Sequence, residues 1–168
     1  MRRTWLFCIG VLLALIAVGC GTAESDSAIA GVEQTVRAYN DALIRGFETL
    51  DMNALNRTAT QEQAEREYLL MAALGEGRLQ MRSRLISIEF GDVAFPSDDA
   101  ARVTTTEVWD YDHISLDTSE TVRSERGVTY RLQYDLILQD GRWLVDEVTS
   151  LEDAAPAEDA ADGDPSVQ

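Results

Sequence analysis

The 168-residue chain has no lysine, one histidine and two cysteines. All 14 of its basic residues are arginines, set against 30 Asp and Glu, for a net charge of −16. Phosphate neutralisation needs a basic face, so nucleic acid is excluded as a partner. His113, Cys8 and Cys20 are too few for a zinc site of the usual kind or for a disulfide framework. The acidic loop around His113 lacks the spacing of a calcium-binding loop, and no P-loop, dinucleotide fingerprint or serine elbow is present. Neither a metal nor a cofactor is therefore expected. The length allows one domain. The missing lysine has two readings, the arginine codon bias of a GC-rich genome or adaptation to high salt, where charges are screened beyond about 3 Å at 1 M.

What is present begins with an address. Arg2 and Arg3 precede a fifteen-residue apolar run, Trp5 to Gly19. A membrane-spanning helix needs about 20 residues. A short positive region followed by a short apolar core describes a secretory signal peptide. Ala17-Val18-Gly19-Cys20 resembles the lipobox of bacterial lipoproteins, although Ala17 stands where leucine is usual. The resemblance implies cleavage after residue 19 and lipidation of Cys20. The mature chain would keep 12 arginines against 30 acidic residues and no free thiol. Diacylglycerol plus an amide-linked chain meets the two-chain requirement for firm anchoring. The membrane, reached through this N-terminal lipid, is thus an expected partner, and the cell envelope the expected location, on its periplasmic or exterior side.

Residues 20–27 read as the lipidated cysteine and a small polar tether. Residues 152–168, EDAAPAEDAADGDPSVQ, carry six acidic residues and no basic one, and read as a disordered tail. Residues 28–151 remain as the domain, long enough to bury a core of its own.

The domain changes period half-way. Ile29, Val32, Val36, Tyr39, Leu43, Phe47 and Leu50 form one stripe at helical spacing, with Asp26 or Ser27 as cap. A short helical turn follows at Asp51–Leu55. Thr60 and Gln63 fit a capping box, opening a second helix with Ala64, Tyr68, Met71 and Ala72 on one face. Glu62 and Arg66 pair on its other face, and Gly75 and Gly77 end it. Leu79–Phe95 then reads as a strand with a bend at Gly91, and Ala101–Tyr111 as an alternating strand. Asp112–Arg123 reads as a polar loop or frayed strand end. Val128–Leu138 gives the cleanest alternation, and Asp140-Gly141 gives a two-residue turn into a last strand. The expected class is α+β, with N-terminal helices packed on a curved four-stranded antiparallel meander.

VEQTVRAYNDAL, RLISIEF, TTTEVWDYD and VTYRLQYDLILQDGRWLVDEV, in this order, resemble the nuclear transport factor 2-like (cystatin-like) superfamily. The order is most similar to the IMS-type domain of plastid division proteins and their bacterial relatives. The resemblance covers about residues 32–151 and implies a cone-shaped sheet around the helices. Such a cone hosts isomerases, dehydratases, ligand binders and interaction modules alike.

Enzymes of this superfamily commonly use a carboxylate base inside the cone, sometimes with tyrosine or histidine. Glu107 shares a strand face with Val103 and Trp109, and a buried Glu beside Trp suits general-base work. The alternative puts Thr105 and Glu107 on the outer face with Trp109 near the sheet edge, and this is the expectation. His113 is expected at a hairpin tip among Asp110, Asp112 and Asp117. Tyr130 and Tyr134 share a face with Leu132 and Leu136 and are expected to pack on the helices. Tyr39, Glu107, Trp109, His113 and Tyr134 are the candidate lining of any pocket; no catalytic residue is assigned. The function expected is a lipid-anchored, non-enzymatic domain binding a protein or small ligand. The alternative is a small isomerase- or dehydratase-like enzyme or ligand carrier.

Overall fold

The structure is a computed structural model, and it describes residues 21–151. The lipobox with Cys20 and the acidic tail lie outside the described residues. Helix α1 (Gly21–Thr49) is followed by a short 3₁₀ turn (Met52–Arg57) and helix α2 (Gln61–Glu76). Strands β1 (Leu79–Ser97), β2 (Ala100–Ser115), β3 (Thr121–Gln139) and β4 (Arg142–Ser150) follow. They pair antiparallel in sequence order as one four-stranded sheet, so the expected α+β meander is what forms.

The α1 stripe folds as its period requires. Val32, Val36, Tyr39, Ala42 and Phe47 are buried against the sheet, where they meet Val103, Tyr134, Leu136 and Val145. Two expectations at its ends fail. Gly21–Ser27, assigned to a tether, already belong to α1, so neither Asp26 nor Ser27 caps it. Leu50 leaves the helix in a left-handed conformation (φ 56°) and is exposed. Asp51 then caps the 3₁₀ turn through its carboxylate, which accepts from the Asn53 amide (2.9 Å). Thr60 caps α2 by accepting from the Gln63 amide (3.3 Å). Only half of the capping box forms, because the Gln63 side chain turns inward instead. Tyr68, placed by periodicity with Ala64 and Met71 in the core, is 55% exposed. The Glu62–Arg66 pair closes at 2.6 Å.

Strands β2 and β3 run on through the segment expected to be a loop; only residues 116–120 connect them. Polar side chains in and beside this segment find partners across the sheet. Arg84 pairs with Asp110 and Arg126 with Asp112, each at 2.6 Å, and Ser124 donates to Asp112 (2.5 Å). The β1 register shifts between Phe90 and Val93, as Gly91 suggested. A Cβ on Gly91 would lie 2.6 Å from Thr104 Oγ1, so a larger residue there would force the Thr104 side chain to move. Asp140 (φ 52°) and Gly141 (φ 74°) make the left-handed pair of a hairpin turn. The free edge of β4 is closed by the segment before α2: Val145 N donates to Thr58 O and Thr60 N to Val145 O, both at 2.9 Å. Among the described residues, no helix is long and apolar enough to cross a membrane.

Candidate functional site

Successive residues of a strand point to opposite faces, so Val103, Thr105, Glu107 and Trp109 of β2 share one. That face is the inner one, and all four residues are buried. The expectation that Thr105 and Glu107 lie outside is therefore wrong. A polar residue in an alternating strand is usually on the solvent side; here the helices bring partners that let it turn inward.

Glu107 is 0% exposed and receives four donors. Its Oε1 accepts from Asn40 Nδ2 (3.2 Å), Thr105 Oγ1 (2.9 Å) and Tyr134 OH (2.8 Å). Its Oε2 accepts from Trp109 Nε1 (2.8 Å). Thr105 and Trp109 come from its own strand at i±2. Tyr134 stands on β3, where the register sets it opposite Val103. Asn40 descends from α1, four residues after Val36 and hence on the same buried face. Asn40 is the partner that the sequence reading missed. Its signal was a polar side chain inside an apolar helical stripe.

A second cluster adjoins the first. Tyr39 OH donates to Glu67 Oε1 (2.8 Å), while Gln63 Nε2 donates to both Tyr39 OH (2.8 Å) and Glu67 Oε1 (2.9 Å). The Tyr39 and Tyr134 rings meet edge to face with centroids 6.2 Å apart, joining the two clusters. Burial holds both phenols above the usual tyrosine range, reinforced at Tyr39 by Glu67 and at Tyr134 by Glu107. Both are hydroxyl donors at neutral pH. Burial also raises the Glu67 carboxyl, against the opposing bonds from Tyr39 and Gln63. Beyond Glu107 the inner face is aromatic. Trp109 stacks on Tyr111 (6.0 Å, 10°), and Tyr111 meets Tyr130 edge-on (6.4 Å, 74°).

Of the five candidate pocket residues, the structure brings Tyr39, Glu107, Trp109 and Tyr134 together. His113 is apart. It lies within β2, opposite Met81 and Arg123, and not at a hairpin tip. Six residues of strand put it about 20 Å from Glu107. Its Nδ1 is buried and has no hydrogen-bond partner among the described residues. No cluster of three or more metal-ligating side chains occurs among the described residues. Two open clefts lie elsewhere, one between the 3₁₀ turn, α2 and the β3–β4 turn, the other between α1 and the 3₁₀ turn. No member of the Glu107 cluster lines either.

No protein-family model matches the sequence, and no curated protein matches it. Solved structures do. The intermembrane space region of the chloroplast protein ARC6 superposes with a TM-score of 0.65 at 16% identity, over 73% of this chain and 95% of that one. Rv3472, a protein of unknown function from Mycobacterium tuberculosis, gives 0.52 at 14% identity, over 84% of each chain. The fold is nuclear transport factor 2-like. At these identities the likeness extends to the fold and not to chemistry.

Proposed function

We propose that this chain is a lipid-anchored domain of the cell envelope that binds a protein or small ligand on its outside and catalyses no reaction. The observation that carries this reading is the full burial of Glu107 among four donors of the protein. A general base must keep a lone pair aimed at a substrate proton. Both Glu107 oxygens instead face donors of the protein itself, and no water reaches them. The cone interior is then a scaffold, and ligand contact is left to the outer surface.

The alternative, a small isomerase-like enzyme or carrier, draws on one feature, a carboxylate beside a tyrosine hydroxyl next to an aromatic wall. Glu107→Gln separates the two. A structural carboxylate predicts a large fall in stability. A catalytic one predicts unchanged or increased stability, because active-site groups are commonly kept at a cost to the fold. The anchor rests on the Ala17–Cys20 match. Cys20→Ala should abolish incorporation of labelled fatty acid, and undiminished labelling of that variant would remove the anchor.

A further inference from the structure

Tyr68 is out of place for its helical position, and what surrounds it gives a reason. It borders an open cleft of about 610 Å³ between the 3₁₀ turn, the start of α2 and the β3–β4 turn. That volume is within the range of small-molecule sites. The floor is apolar, made by Met52, Ala59, Ala64 and Leu144. Around it stand Asn53, Asn56, Gln139 and Arg142, none of whose side chains has a hydrogen-bond or ionic partner among the described residues. Seven arginines among the described residues are ion-paired with carboxylates; Arg142 is not, nor are Arg45 and Arg57, and the cleft lining also includes the carboxylates of Glu65 and Asp140.

We propose that this cleft binds a saccharide that carries a carboxylate. A carboxamide both donates and accepts, which matches sugar hydroxyls, and three unengaged ones line this cleft. An exposed tyrosine ring offers a flat apolar surface to the C–H face of a pyranose. An unpaired guanidinium offers a two-pronged donor to a carboxylate. A bound peptide is disfavoured by the strand beside the cleft. The backbone groups of Val145 that a peptide would pair with are already taken by Thr58 and Thr60. The inference rests on the reading that this domain binds its ligand outside the cone, and it names the site and the ligand class.

The test is an NMR titration of the full mature chain with trigalacturonic acid and, separately, with maltotriose. The expected result is a dissociation constant of about 1 mM or tighter for the acidic sugar, at least about tenfold tighter than for the neutral one. Tyr68→Ala should weaken the acidic sugar at least about tenfold, and Arg142→Gln should remove the preference for it. Both side chains are exposed, so the melting curves of both variants should overlay that of the wild type. Absence of binding by the acidic sugar, equal affinity for both sugars, or unchanged affinity in Tyr68→Ala overturns the inference. The Trp109 indole signal in the same spectra tells two failures apart. No binding with Trp109 unmoved removes this inference alone. A sugar that shifts Trp109 removes the reading of an outside site.

Discussion

An isolated carboxylate transferred into an apolar interior costs tens of kcal/mol by ion solvation, more than the 5–15 kcal/mol that holds a typical domain together. Glu107 stays in this core because four donors replace the water it lost. Gln at this position keeps the shape and substitutes an N–H group for one acceptor. Turned toward Trp109, that group faces an indole N–H that cannot accept; turned the other way, it displaces an acceptor shared by Asn40, Thr105 and Tyr134 and forces both hydroxyls to reorient. Removing one partner from such a set leaves buried groups unpaired, and the loss expected for Glu107→Gln is about 2–4 kcal/mol. Denaturant melts measure it directly. The parity of Glu107 with Val103 and Trp109 was legible in the sequence. Its burial was not, because the groups that make burial tolerable sit 67 residues before it, at Asn40, and 27 after it, at Tyr134. Asn40 alone left a local trace, as the one polar side chain among Val36, Tyr39 and Leu43.

Period decided the elements wherever one face is buried and misled where neither is. The α1 stripe and the β3 alternation are amphipathic, and both form where the pattern puts them. Asp112–Arg123 is mostly polar, with Ile114 its one buried side chain, so its local composition suggests a loop. The ladder with β1, and the ion pairs across it, extend the strands through much of this segment. Such tertiary override is the known weakness of strand propensity. On β3, Leu136 is buried and Leu132 only half-buried, so the core leucine of this strand is the later one. Leu136→Ala should cost about 2–5 kcal/mol. Gln133, three residues earlier on the opposite face, donates only to the neighbouring Asp135 (2.9 Å). Gln133→Ala should change stability by less than about 0.5 kcal/mol. Equilibrium unfolding of the two variants checks the difference; similar losses at both positions would contradict the assignment of faces.

The whole molecule is a helical layer closing over a curved sheet whose strands follow sequence order. That topology was readable because neighbours in sequence are neighbours in space and two of the three strand connections are two-residue turns, at Asp98-Asp99 and Asp140-Gly141. What the turns do not encode is whether the space between helices and sheet is filled, since this depends on side chains from α1, α2, β2 and β3 meeting at one point. Here they meet as two linked polar clusters, with Tyr39 and Tyr134 in contact between them. A structural role for Glu107 requires this interior to be closed. The Trp109 indole N–H, donating to Glu107 Oε2 at 2.8 Å, reports on it from within. The deciding measurement is its NMR signal while the full chain is titrated with neutral apolar ligands, from benzene-sized to steroid-sized. A closed interior predicts no saturable shift at any ligand concentration below that which unfolds the protein. A saturable shift of that indole in the folded chain would mean that the cone admits a ligand at Glu107, and would contradict the account.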